Sequence, residues 1–541
     1  MQRRVDRALL LMTLVLLLVG SACAGDDSGA ATSAPTTSSP TTTTTTSPQP
    51  TTTTTTLPPV EGPDPSYRVA AFYYPWYGDP DSYGEWWHWD NPQGPEPPSD
   101  IASDYYPVLG AYSAIDPTVV AQHFAWLREA GVGVVVSSWW GRGAQGIRED
   151  EAVPVLLDLA ERYGIRVAFH IEPYSGRSAD SVVEDVEYLY AKYGDHPAFF
   201  RSTARTGWSD DDRPKGLFFV WNAASPDPES EPVGAKYWQP AIDEVHGLPD
   251  GGLVIADQPK HWWVLNGHFD GLYQYATPES SPSFDWARTL PSDALYIPSV
   301  IPGFSAQQMG YDPSTYVDRD GGDTYRRQWE AALGAGIEPH MVSITSFNEW
   351  HEGTQIEPAA VGTARASGDA YADYGDIAPD GYLAMTATLV GEFLETDWPD
   401  LTTTRLRIKV DTTSDWTNLR LESGGLLAQY DPVSIGDTGW MRMHIPEIGV
   451  RLHTGQPLED AEAGGLVEGV TDFSVVSWED PLRFVIERGG LGYTRVTVTG
   501  LDGGAETGSV SALWDGWSDE LIDGESLNPF RFEVTRADLE G

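Results

Sequence analysis

Two glutamates three positions apart, Glu349 and Glu352, lie in the segment Ser346-Phe-Asn-Glu-Trp-His-Glu-Gly-Thr-Gln-Ile-Glu-Pro358. Their neighbours are aromatic or hydrogen-bonding: Phe347, Asn348, Trp350, His351 and Gln355. Acid pairs beside aromatic platforms suit sugar chemistry, where one carboxyl protonates a leaving oxygen and the other acts across the ring. Close carboxyls also help to keep one of them protonated near neutral pH. The plainer alternative is a pair of solvated loop acids in a very acidic chain. A zinc-protease helix would need a second histidine four residues after His351, and position 355 is Gln. No serine nucleophile elbow and no phosphate-binding glycine loop can be placed, and Gly141-Arg-Gly143 lacks the full dinucleotide spacing. Neither a metal nor a cofactor is expected.

The segment follows a strand-like run, Met341 to Thr345, and seven more such runs precede it: 68–76, 132–140, 166–174, 216–222, 253–257, 271–275 and 295–300. Helical patterns lie between them, at 117–130, 149–163, 179–193, 236–246 and 325–333, and another follows at 383–394. Apolar strands alternating with helices predict a parallel (β/α)8 TIM barrel over residues 66–398. Such a barrel gathers the C-terminal ends of its strands on one face, where active sites are built. Nearly every run ends in rings or polar groups: Tyr73, Tyr74 and Trp76; Trp139 and Trp140; His170, Glu172 and Tyr174; Trp221 and Asn222; Asp257; Tyr273 and Tyr275. Any one ring is more easily core than ligand platform, but the recurrence at one end of most strands argues against an all-core explanation. Glu85-Trp-Trp-His-Trp89 either lines the cleft mouth or seals the barrel top.

The chain has 541 residues and a formal net charge of −47, which disfavours nucleic acid and anionic membranes as partners. Residues 1–24 read as a targeting segment, with Arg3, Arg4 and Arg7 before an apolar stretch too short for a comfortable membrane span. Val19-Gly-Ser-Ala-Cys23 resembles a bacterial lipoprotein signal, except for Gly20 where a larger aliphatic residue is usual. Ala22-Cys23-Ala24 also fits an ordinary cleavage site. Lipidation of Cys23 is favoured because it is the only cysteine. The expectation is an exported cell-surface lipoprotein, with a freely secreted protein as the alternative. Residues 25–65 are rich in Thr, Ser and Pro and read as a tether. Residues 399–541 alternate apolar and polar residues in short runs, which predicts a C-terminal β-sandwich, either structural or carbohydrate-binding through Trp416, Trp514 or Trp517.

Four motifs, in order, resemble glycoside hydrolase family 99, the endo-acting α-mannosidases and α-mannanases: Phe72-Tyr-Tyr-Pro-Trp-Tyr-Gly78, Ser138-Trp-Trp-Gly141, His170-Ile-Glu-Pro-Tyr174 and the segment 346–358. The resemblance covers roughly residues 66–398. It implies that Glu352 is the general acid and Glu349 the base. It also implies a retaining route in which the base deprotonates the substrate's own 2-hydroxyl, giving a 1,2-anhydro sugar that water opens. Glu172 is similar to the family's further substrate-binding acid. Trp139 or Trp140 would shape specificity, and Tyr273 or Tyr275 would reach the reacting centre. Tyr73, Tyr74, His170, Tyr174, Asn348, Trp350 and His351 complete the expected substrate-binding set. The expected activity is endo-hydrolysis of α-mannosidic, α-1,2 foremost, linkages in mannans or mannose-rich glycans, by a monomer. The alternatives are a non-catalytic sugar-binding surface lipoprotein and a polysaccharide-assembly protein of related fold.

Overall fold

The computed structural model describes residues 57–398 except 91–96, 143–147, 228–231, 261, 276–281, 285, 288–289, 291–292 and 311–312. Beyond 398 it describes strand segments between 405 and 534 and a short helix, Arg536–Glu540. The targeting segment, Cys23 and most of the expected tether lie outside the described residues. Among the described residues, no helix is long and apolar enough to cross a membrane.

Nine parallel strand segments build one sheet: β1 (Ser66–Tyr73), β2 (Val132–Trp139), β3 (Arg166–Ile171), β4 (Lys215–Val220), β5 (Leu253–Asp257), β6 (Gly271–Tyr273), β7 (Leu295–Ile297), β8 (Ser299–Val300) and β9 (Val342–Ile344). Their order is β7-β6-β5-β4-β3-β2-β1-β9-β8, and a short strand, Arg201–Ser202, adds an antiparallel edge to β4. The two ends of that order are one stretch of chain interrupted at Pro298, which has no backbone donor for a ladder. β7 pairs with β6, β8 pairs with β9, and the sheet curls into a barrel consistent with the (β/α)8 form. The strands are buried on both faces, as parallel strands under a helical layer must be.

Among the described residues up to 398, the α-helices longer than one turn are α1 (Pro117–Glu129), α2 (Glu149–Tyr163), α3 (Ala179–Tyr193), α4 (Gln239–Gly247), α5 (Trp262–Gly267), α6 (Asp323–Gly334) and α7 (Gly381–Glu395). Their ends follow local chemistry. Asp116 caps α1 through the Thr118 N–H, with Pro117 at the first turn. Ser178 and Ser181 cap α3 reciprocally, and Gly164 ends α2 in the left-handed region, at φ 71°. α5, between β5 and β6, is an element the sequence pattern did not suggest.

Period-two alternation decides what each strand offers the barrel interior. Phe72, His170, Phe219 and Tyr273 point inward and pack on one another, with Phe72–His170 centroids 4.7 Å apart and Phe219–Tyr273 centroids 5.1 Å apart. Their chain neighbours point outward to the helices.

The C-terminal part forms two five-stranded antiparallel sheets. One has the order Leu426–Ile435, Val467–Val476, Arg405–Thr412, Leu491–Asp502, Ala505–Trp517. The other has the order Trp440–His444, Arg451–Gly455, Trp416–Ser423, Leu482–Gly489, Phe530–Val534. Trp514 stacks against Phe530. The side chains of Trp416 and Trp517 lie outside the described residues.

Candidate active site

The inward register of β2, β3 and β6 continues past the strand ends and gathers a polar cluster. Ser138 Oγ donates to Glu172 Oε1 at 2.8 Å, and His170 Nδ1 stands 3.0 Å from the same oxygen. The Nε2 of His170 meets the Tyr273 hydroxyl at 2.6 Å, and its ring stacks on Tyr275. The Tyr275 hydroxyl is hydrogen-bonded to that of Tyr74 and lies 3.5 Å from Glu352 Oε2. Asp257 accepts the Tyr275 N–H at 3.0 Å, and burial raises its carboxyl to about 6.

Glu349 and Glu352 come from the turn after β9. That turn is bonded to itself: Ser346 N–H to Thr354 O at 2.9 Å, Glu357 N–H to Phe347 O at 2.9 Å, and Glu349 N–H to Ser346 Oγ at 2.8 Å. Gly353 has φ 62°, and a β-carbon there would stand 2.6 Å from Ser305 O. Only glycine lets the two segments close so tightly, and Ser305 N–H then donates to the Glu352 carbonyl at 2.7 Å.

Burial raises both carboxyls. Glu349 is pushed well above the ordinary carboxylate range, by burial first and then by the Glu352 charge. Glu352 is raised to about 7, by burial first and then by Glu172. The pair therefore retains a proton near neutral pH. Backbone N–H groups of His351, at 2.9 Å, and of Glu352 point at Glu349 and favour charge there. On Glu352 the matching contact is the 3.5 Å approach of the Tyr275 hydroxyl. The backbone donors at Glu349 thus oppose a burial that raises its pKa further than that of Glu352.

Eight of the expected residues thus meet or lie in register on one face: Tyr74, Trp140, His170, Glu172, Tyr273, Tyr275, Glu349 and Glu352. Within the Tyr273/Tyr275 pair, Tyr275 is the one that reaches the acid and Tyr273 supports it through His170. Two expected sugar contacts are out of phase by one residue. Tyr73 is fully buried toward α1, its hydroxyl 2.9 Å from His123 Nδ1. Trp139 points at the helix layer, where its indole donates to Asp150 at 3.2 Å and stacks on Tyr188. Trp140 keeps the inward register and is half-buried, with an indole N–H that has no hydrogen-bond partner among the described residues.

Four more expected contacts are structural in this geometry. Asn348 clamps the end of β1, accepting the Tyr74 N–H at 2.7 Å and donating to the Tyr74 carbonyl at 3.0 Å. Trp350 is fully buried beneath the turn. Tyr174 turns its hydroxyl to Asp185 and Ser181 of α3. His351 donates from Nε2 to the His88 carbonyl at 2.6 Å, and burial lowers its pKa, so the ring is a neutral prop. The tryptophan-rich loop supplies that prop: His88 stacks on Trp76 with centroids 4.8 Å apart, and Trp89 is buried against Tyr77. Tyr112 and Ser305, which hold the turn from outside, sit in loops without periodic pattern and gave no signal in the sequence.

The comparisons agree with this geometry. The family model described as glycosyl hydrolase family 99 matches residues 65–395. A glycoprotein endo-alpha-1,2-mannosidase of Rattus norvegicus is 36% identical over 361 residues, covering 61% of this chain and 74% of that protein. A glycoprotein endo-alpha-1,2-mannosidase-like protein of Homo sapiens is 32% identical over 358 residues, covering 60% and 76%. Among solved structures, the GH99 endo-alpha-mannosidase from Bacteroides thetaiotaomicron superimposes with TM-score 0.52 at 32% identity, covering 61% of this chain and 98% of that one. With the matched model spanning the whole barrel and both acids, the chain belongs to glycoside hydrolase family 99 and is a glycoside hydrolase.

Proposed function

We propose that the protein is an exported, retaining endo-α-mannosidase that cleaves internal α-mannosidic, foremost α-1,2, linkages in mannans or mannose-rich glycans. The observation that carries this reading is the buried Glu349–Glu352 pair with Tyr275 against Glu352. In this mechanism Glu352 protonates the departing glycosidic oxygen. Glu349, in its ionised form and held by the backbone N–H of His351, removes the proton of the mannose 2-hydroxyl. That oxygen attacks C1 from the face opposite the leaving group, since the axial 2-hydroxyl of mannose stands anti to an α-linked substituent. The C1–leaving-group bond breaks as the C1–O2 bond forms, giving a 1,2-anhydro sugar. Water then opens the ring at C1, with Glu352 now acting as base and Glu349 returning a proton to O2. Two inversions give net retention, by one of the substrate-assisted exceptions to the two-carboxylate scheme.

Glu172, oriented by Ser138 and His170, is suited to receive sugar hydroxyls, and Trp140 to stack on a ring beside it. The reading further takes Cys23 as lipidated, the segment 25–65 as a tether, and the two C-terminal sheets as the layers of a β-sandwich, with the protein acting as a monomer. Alternation supports the sandwich: Leu406 and Ile408 are buried on one strand beside partly exposed Arg407 and Lys409, and Val496 and Val498 on another beside Arg495 and Thr497. The test is product analysis on α-mannans of defined linkage, with NMR of the first-formed anomer. Internal cleavage with retention is expected; inversion would refute the anhydro-sugar route. Intact-mass analysis showing a mature N-terminus beyond Cys23 would remove the lipid anchor.

A further inference from the structure

Glu357 closes the turn that carries Glu349 and Glu352 and is fully buried, and among the described residues its side chain meets Tyr112, Trp350 and His123 and not the polar cluster of the cleft. Its Oε2 accepts from the Tyr112 hydroxyl at 2.8 Å and from the Trp350 indole N–H at 2.9 Å. Its Oε1 stands 3.2 Å from His123 Nε2, off the line of a hydrogen bond. The other His123 nitrogen meets the Tyr73 hydroxyl at 2.9 Å. A buried carboxyl among rings is a poor source of stability compared with an apolar side chain of similar size. Its partners therefore indicate what it holds.

Trp350 is the link. It lies between the two catalytic acids in sequence, its backbone N–H donates to the Tyr77 hydroxyl at 3.1 Å, and its indole is tied to Glu357 and, at 3.3 Å, to Tyr112. Tyr112 also receives a hydrogen bond from Asn348, on the other side of Glu349. With the ring of Trp350 fixed from beneath, the peptides on either side of it cannot rotate, and these peptides aim Glu349 and Glu352. His123 on α1 and Tyr112 in the loop before it anchor the arrangement to the helix layer.

We propose that Glu357 is a positioning residue for hydrolysis: acting through Trp350 and Tyr112, it sets the direction in which Glu349 and Glu352 point. This rests on the acid–base reading of that pair. The test compares Glu357→Gln, Trp350→Phe and their combination in the full chain, on a soluble α-mannoside substrate. Glu357→Gln keeps the volume and one acceptor oxygen but brings an NH2 group toward groups that also donate. Trp350→Phe keeps a ring and deletes the donor. Each single variant is expected to melt cooperatively and to lose kcat by about tenfold to a hundredfold, with KM changed by less than about threefold, because misaiming reacting groups damages the chemical step more than binding. The combination should be no worse than the poorer single variant, since both break one link. The alkaline limb of the pH–rate profile should move in both, because the spacing of the acid pair changes.

A Glu357→Gln protein with wild-type kcat and pH profile would overturn the proposal even if its melting temperature fell, as would losses that multiply in the combination. If Glu357→Gln does not fold, Trp350→Phe and Tyr112→Phe decide, and full kcat in both overturns it. Glu349→Gln and Glu352→Gln serve as references. If those two remain active, the acid–base reading falls and this proposal with it. If they are inactive while Glu357→Gln is fully active, the positioning role alone falls.

Discussion

Three glutamates share one face of the barrel, and the structure treats them in two ways. Glu172, after β3, accepts from the Ser138 hydroxyl, and the same oxygen has His170 Nδ1 3.0 Å away, off the line of a hydrogen bond. Glu349, buried, and Glu352, half-buried, follow β9, and among the described residues the side-chain hydroxyl hydrogen-bonded to this carboxyl pair is that of Tyr275, at 3.5 Å from Glu352. A carboxyl held by a hydroxyl donor and set against a ring is an anchor with fixed geometry, suited to hold a sugar hydroxyl. Two acids whose carboxyls are raised by burial, one of them further by the charge of the other, keep a mobile proton, suited to acid–base work. The same side chain is assigned to binding or to proton transfer by its neighbours.

The comparison breaks most sharply at the pair. Glu352→Gln should lose about 10²–10⁴-fold in kcat/KM on a mannoside with a sugar leaving group, the usual worth of general acid–base assistance. It should lose much less in the cyclisation step on a substrate with an activated leaving group. Glu349→Gln should lose similarly on both, because leaving-group ability does not replace the base that activates the 2-hydroxyl. Single-turnover rates on the two substrates check this, and equal losses by both variants on both substrates would reverse the role assignment.

Glu172→Gln should cost less, about 10–100-fold in kcat/KM, with the loss independent of the leaving group, because it removes hydroxyl binding and not proton transfer. The same two substrates give the answer, and a leaving-group dependence like that of Glu352→Gln would place Glu172 in the proton path. Tyr275→Phe should lower kcat by about two- to tenfold, the scale of one hydrogen bond between neutral groups. It deletes the contact to Glu352 and leaves the ring that stacks on His170.

The smallest effect is on stability and follows from linkage. Because the folded-state pKa of Glu352 is raised to about 7, the folded protein binds a proton more tightly than the unfolded chain between the ordinary glutamate value and that point. This contribution is favourable at acid pH and is lost as pH rises through about 7, after which the buried charge costs stability. Glu352→Gln should therefore melt a few degrees above wild type at pH 8, reflecting about 1–2 kcal/mol. The gap should close toward pH 5, and thermal melts across that range test it. The alkaline limb of kcat/KM for the wild type should fall in the same region as Glu352 loses its proton.

The barrel was legible because buried parallel strands alternate with amphipathic helices over long runs, and β2, β3, β5 and the first three long helices lie close to where their periodicity placed them. The C-terminal strands were only partly legible. Runs such as Val467–Val476 and Ala505–Trp517 carry glycine, acidic and small residues that blur the alternation. The position of the acid pair was legible for a local reason, since two glutamates stood beside rings after a strand. Tyr73 and Trp139 were misplaced although the correcting signal was present: with His170 and Glu172 inward, period two also turns Phe72 and Tyr74 inward and Tyr73 outward.

The order of the residues was enough to determine the barrel, its polar rim and the two glutamates, because these depend on patterns a few residues long. Which groups support the acids was decided only in three dimensions. Tyr275 reaches Glu352 across 77 positions, and Tyr112 reaches Glu357 across 245. Asn348, expected at the sugar, is spent on a strand 274 positions away. Contacts of that separation exist only once the barrel has closed, and the closure also removes the water that would otherwise hold both carboxyls at their ordinary pKa.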